Sequence, residues 1–113
     1  MADHIKIREA DGTWVVRAGG AVLGESSRAL ELTEGSMPFV IYFPREDIAM
    51  AFLDKSDTVT HCPHKGEAQH YDIEIKSGTI QNAAWSYEAP KTGVERIKDH
   101  MAFYAEKVTV EQI

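Results

Sequence analysis

The densest run of reactive side chains in the sequence is His61-Cys62-Pro63-His64-Lys65-Gly66. A thiol beside a lysine and two histidines has the makings of a nucleophile, because nearby positive charge stabilises the thiolate. In that reading Cys62 attacks and Lys65 or His64 assists. Free cysteine is also among the residue types most often buried, where it acts as a small hydrophobe. Both readings stay open. Dithiol redox chemistry does not, since Cys62 is the only cysteine and lacks a resolving partner. Read as a metal site, the run offers His61, Cys62, His64 and, further on, His70. Structural zinc is usually held by two spaced ligand pairs such as Cys-x-x-Cys, and none is present. On an extended segment His61 and Cys62 also point to opposite sides. No metal and no cofactor is expected, and the domain is predicted to fold without zinc.

A second set of residues has the chemistry of a binding pocket. Arg28 falls in phase with Leu30 and Leu32 on an alternating stretch, which turns a guanidinium towards the apolar face. There it needs a carboxylate, carbonyls or an external anion, because burying it alone is prohibitive. Asp47 and Glu67 are the acids that could serve it internally. The plainer alternative is an arginine that snorkels from the strand end. Lys65, between Pro63 and Gly66, sits where backbone can approach a ligand closely. Trp85 and Tyr87 share one strand face, Tyr42 interrupts a run of Phe and Ile, and Tyr104 follows Phe103. Such aromatics serve cores as well as ligands, although a buried tyrosine hydroxyl requires a partner. Asp72 and Glu74 place two carboxylates on one face. The Gly35-Ser36 turn lies too far away to complete a nucleotidyltransferase-type metal site, and a solvated strand face explains the pair.

The elements that must position these residues are short strands punctuated by Gly and Pro. His4–Arg8, Thr13–Arg17, Ala21–Gly24 and Ser27–Thr33 read as strands, with Gly19-Gly20 as a tight hairpin turn. Phe39–Phe43 is continuously apolar, as in a strand covered on both faces. Thr58–His61, Gln69–Ile75 and Thr79–Tyr87 follow, and Val108 and Val110 close with a last strand. Two short helices are expected. One is Arg45–Phe52 behind Pro44; the other follows a capping box at Thr92-Gly93-Val94-Glu95, with Val94, Ile97 and Met101 as its apolar stripe. The sum is a mainly β single domain of about eight strands in curved antiparallel sheets.

The 113 residues are 43% hydrophobic and 27% charged, which suits one folded domain. A net charge of −6 and a pI near 5.3 argue against coating a phosphate backbone, so no nucleic-acid partner is expected. No apolar run approaches the roughly 20 residues of a spanning helix, and Met1–Gly12 lacks the pattern of a signal peptide. With its lone cysteine, the chain reads as cytoplasmic and free of the membrane.

Four motifs in order are Tyr42-Phe43-Pro44-Arg45-Glu46-Asp47, Thr60-His61-Cys62-Pro63-His64-Lys65-Gly66-Glu67-Ala68, Ala84-Trp85-Ser86-Tyr87 and Ala102-Phe103-Tyr104. Together they resemble domain-of-unknown-function family 427 over about residues 24–110. The resemblance implies a small β-rich fold like the Mss4 β-tent, shared with methionine sulfoxide reductase B, and no established activity. A nucleotidyltransferase label is sometimes attached to the family, and this sequence supplies no motif for it. The positions that look family-typical are Arg28, Tyr42, Pro44, Cys62, Lys65, Gly66, Trp85, Tyr87, Phe103 and Tyr104. Lacking paired Cys-x-x-Cys motifs, the chain inherits neither zinc nor the reductase reaction from that fold.

The leading expectation is a pocket that binds a small anionic or planar ligand. Arg28 and Lys65 supply charge, Trp85 and Tyr87 an apolar wall, and Tyr42 and Tyr104 hydroxyls. The alternatives are an enzyme with Cys62 as nucleophile, and a structural or protein-interaction module with no small-molecule site.

Overall fold

The computed structural model describes residues 4–113. Residues 1–3, which belong to the expected 1–113 domain and to the Met1–Gly12 segment read above, lie outside the described residues. Among the described residues ten strands form three antiparallel sheets. Strands β1 (Ile5–Glu9), β4 (Leu30–Glu34) and β5 (Val40–Tyr42) make one, in the order β1-β4-β5. A second has the order β10-β2-β3, from β2 (Trp14–Ala18), β3 (Ala21–Ser26) and β10 (Thr109–Gln112). The third is a meander of three ten-residue strands, β6 (Leu53–Cys62), β7 (Gly66–Ile75) and β8 (Gly78–Tyr87), closed by the short β9 (Ala102–Phe103).

Alternation and turn chemistry account for most of this. Gly19 and Gly20 carry φ of +54° and +86°, the left-handed conformation that a two-residue hairpin loop demands. Ile41, Tyr42 and Phe43 are all buried, so the second half of the apolar run is covered on both sides, while Phe39 before the strand is exposed. On β7, Tyr71 and Ile73 are buried and Ile75 is half-buried along one face. Two apolar clusters result. One joins Val16, Leu23, Phe43, Ile73, Met101 and Phe103. The other joins Leu30, Leu32, Tyr42, Tyr87 and Ile97, and lies between β4-β5 and the meander.

Both expected helices are reduced to short 3-10 turns. Arg45–Phe52 contains two separate 3-10 turns, Arg45–Asp47 and Met50–Phe52. Ile48 between them is extended (φ −111°, ψ 139°) and forms an antiparallel bridge with Gly24. Pairing with the neighbouring strand outweighs a weak local helix preference. The segment after Thr92 makes one 3-10 turn, Glu95–Ile97, with no side-chain cap. The Glu95 carboxylate accepts a bond from the Gly93 backbone N–H at 2.7 Å instead. Val94, Ile97 and Met101 are buried all the same, and Met101 is held by a bridge to Phe43. The apolar positions were legible there; their geometry was not.

Arg28 also departs from expectation. The stretch Ser27-Arg28-Ala29 precedes β4, so its strand phase does not apply. Its guanidinium is largely exposed and donates to both Asp47 carboxylate oxygens, at 3.1 and 3.2 Å. Ser26 Oγ donates to the same carboxylate at 2.6 Å and holds it below the ordinary aspartate range.

Candidate functional site

Period-two geometry builds a cavity from two facing sheets. On the meander, Ala68 pairs with Tyr87 and His70 with Trp85, so these four side chains share one face. Thr60 of β6, opposite Ala68, extends it. On the other sheet Leu32 and Glu34 alternate along β4, and Val40 and Tyr42 along β5. Between the two faces lies a cavity of about 210 Å³, rimmed by Met37 and Pro38 and closed at one side by Tyr104.

Lys65 enters from the β6–β7 turn. Its N–H donates to the Cys62 carbonyl at 3.3 Å, and Gly66 after it has φ +110°, which a side chain would strain. This turn drives the ammonium inward. Lys65 is 9% exposed, and its Nζ donates to Glu34 Oε1 at 2.5 Å. That hydrogen bond holds the Glu34 carboxyl below its ordinary value, against a smaller opposing effect of burial. His4 stands 3.6 Å from the other Glu34 oxygen. The cavity therefore contains one cation and one carboxylate, already matched.

The aromatic wall is polar at its edges. The Trp85 indole Nε1–H donates to the Tyr42 hydroxyl at 3.3 Å, and their rings meet edge to face. Trp85 also leans on Tyr104, with ring centroids 4.5 Å apart. Burial pushes the Tyr42 and Tyr87 hydroxyls well above the ordinary tyrosine value, so both remain protonated donors. His70 is 3% exposed. Its Nδ1 faces the Ala68 carbonyl at 3.3 Å, which can only accept, so Nδ1 carries the proton. Nε2 lies 2.9 Å from the Tyr104 hydroxyl, and in the neutral ring it accepts that hydroxyl's hydrogen bond.

Of the residues expected from sequence, Tyr42, Lys65, Trp85, Tyr87 and Tyr104 all line this cavity, and Arg28 does not. Glu34 and His70 do, and sequence reading missed them as pocket residues. Glu34 continues the alternation of Leu30 and Leu32 by one more step, a signal that was available. His70 lies on the face of β7 opposite Tyr71 and Ile73, which was equally readable.

Cys62 is half-buried at the end of β6 and packs against the cluster of Leu30, Leu32 and Tyr87. It is not on the cavity lining. The His64 ring is exposed and meets His4 edge to face, at 4.7 Å between centroids. Lys65 Nζ is engaged by Glu34, so neither of the two groups expected to assist the thiol is free for it in this arrangement. Cys62 is expected to react slowly with iodoacetamide at pH 7, and Cys62→Ala to leave the cavity's binding properties unchanged. Fast alkylation with a midpoint well below about 8.5 would restore the nucleophile reading. Among the described residues no three His, Cys, Asp or Glu side chains converge to hold a metal ion. Asp72 accepts a bond from the Asn82 backbone N–H, and Glu74 from Thr79, so both are spoken for locally. No helix among the described residues is long and apolar enough to cross a membrane.

Fold and site together define a small antiparallel β domain with an aromatic-walled cavity around a Lys–Glu pair, its lysine buried and its glutamate half-buried. The chain belongs to the family described as Domain of unknown function (DUF427), whose family model matches residues 6–113. No match to a curated protein is found.

Proposed function

We propose that the Lys65 cavity binds a small planar molecule that both donates and accepts hydrogen bonds, such as a primary amide or lactam. The observation that carries this is the matched pair Lys65–Glu34 set into an aromatic wall. Of the two ligand classes read from the sequence, planar is favoured over anionic. An anion would find one lysine already neutralised by a carboxylate, and Arg28 is engaged with Asp47. A planar amide instead finds Glu34 as acceptor, Lys65, Tyr42 and Tyr87 as donors, and Trp85 and Tyr104 as stacking surfaces. The net charge of −6 supports a reading without nucleic acid. The same proposal keeps the β-tent reading of the three sheets and a cytosolic location, the latter supported by the lone thiol.

Benzamide and benzoate have nearly the same shape and differ in charge, so they test this directly. At ten times its Kd, benzamide is expected to stabilise the fold by about 1.4 kcal/mol, a rise of about 5 °C in Tm. Benzoate is expected to give little. Lys65→Met should abolish the benzamide effect. Equal or greater stabilisation by benzoate would make the site an anion site. No stabilisation by either would leave the structural-module reading in its place.

A further inference from the structure

A second cavity, of about 310 Å³, adjoins the first, and the two share Val40, Trp85 and Tyr104. Its own walls are apolar and aromatic, with Trp14, Phe39 and Phe103 prominent, and Glu106 is the one charged residue on its lining among the described residues. The chemistry thus changes across a saddle made by the touching rings of Trp85 and Tyr104. On one side stand an ion pair and hydroxyls; on the other the side chains are mostly apolar, with Glu106 among them. The loop between β4 and β5 overhangs both. Met37 rims the first cavity and Phe39 the second, at 64% and 50% exposure, with Phe39 held edge to face on Trp14 at 6.0 Å. Large apolar side chains left open around a concave hollow mark a binding surface more than a folding requirement.

We infer that the ligand is an amphiphile. Its planar donor–acceptor head lies against Lys65 and Glu34, and an apolar chain crosses the Trp85–Tyr104 saddle into the second cavity. The inference rests on the reading of the Lys65 cavity given above, and adds to it the substrate class: a small amide or lactam carrying a hydrocarbon or aryl tail. A macromolecular partner fits less well, because the apolar surface is concave and the polar groups sit inside one arm of it. Hydrocarbon moved from water onto such walls gains affinity with every methylene, whereas a head bound alone gains nothing from a tail left in water.

The test is calorimetric titration of the intact protein with benzamide and its N-propyl, N-butyl, N-pentyl and N-hexyl derivatives. Each keeps one amide N–H and the carbonyl. Affinity is expected to rise by up to about fourfold per methylene over the chain lengths that reach the second cavity. Phe39→Ser, at an exposed position that spares the core, should weaken N-hexylbenzamide at least fivefold and leave benzamide unchanged. Affinity independent of chain length, with benzamide itself binding, overturns the amphiphile and leaves the Lys65 cavity standing. A length-dependent gain that ignores Phe39→Ser places the tail elsewhere and also overturns it. If no member of the series binds, benzamide included, the reading of the Lys65 cavity has failed and the amphiphile goes with it.

Discussion

Glu34→Ala is expected to destabilise the domain by about 3 kcal/mol at pH 7, more than most surface substitutions and comparable to emptying a core position. Lys65 is nearly buried, and Glu34 Oε1 is the partner of its ammonium. Removing the carboxylate leaves a desolvated charge behind. The pair itself is a different matter. Two charges taken out of water lose much of what their attraction returns, so Lys65→Met with Glu34→Leu should recover most of the loss. The double-mutant cycle would show strong coupling, with each single change worse than both together.

The same pair makes stability depend on acid. The Glu34 carboxyl titrates below its ordinary value of 4.5 in the folded protein, because the Lys65 hydrogen bond favours its charged form. Its contribution is therefore complete above the unfolded value and is lost as pH falls through the folded one. Asp47, held low mainly by Ser26, acts in the same direction. So does Glu88, where bonds from Tyr71, Arg45 and Lys55 outweigh the burial that would raise it. Urea denaturation at pH 7 and pH 3 should show a smaller acid-induced loss in Glu34→Gln than in the parent protein. An unchanged acid loss would mean that the Lys65–Glu34 bond adds no net stability.

Trp85→Ala is expected to cost about 3 kcal/mol of stability and to weaken benzamide at least thirtyfold. The indole supports Tyr42 through its N–H, leans on Tyr104, and forms wall on both cavities. Its removal takes a ring neighbour from each of two tyrosines and joins the cavities into a wide trough that water fills. Trp85→Phe separates the two effects. Phenylalanine keeps a ring in the wall and loses only the donor to Tyr42, so stability should return to within about 1 kcal/mol. Benzamide binding should then recover to within about tenfold. A Trp85→Phe protein that is stable and still binds nothing would mean that the indole N–H, and not the wall, is what the ligand needs.

Much of the cavity was legible because strands alternate with period two. Trp85 and Tyr87 could be placed on one face from sequence, and pairing to Ala68 and His70 puts them there. Lys65 was singled out beside a glycine, and the positive φ of Gly66 is part of how the turn sends it inward. Glu34 was missed by one residue, since the expected strand stopped at Thr33. Arg28 shows the opposite failure. Its phase was correct only if the strand began early enough, and nothing local reveals that the chain bends at Ser27. The carboxylate that takes the guanidinium is Asp47, 19 residues away and one of the two acids named for it from sequence. The helices shrank to 3-10 turns for a related reason. Ile48 and Met101 sit at helical spacing within their segments, but bridges to Gly24 and Phe43 fix them as extended pieces. Such pairings are made by tertiary neighbours, which a local window does not contain.

The most direct test of the central claim uses the two tryptophans as separate reporters. The Trp85 indole N–H points at Tyr42 inside the Lys65 cavity, while that of Trp14 donates to the Asp11 carbonyl away from it. In a ¹H–¹⁵N spectrum titrated with benzamide, the Trp85 indole and the Lys65 backbone amide should shift together along one saturating curve. The Trp14 indole should stay in place. Shifts confined to Trp14 or to the Arg28–Asp47 surface, or no shift up to the solubility of benzamide, would contradict a planar-ligand site at Lys65.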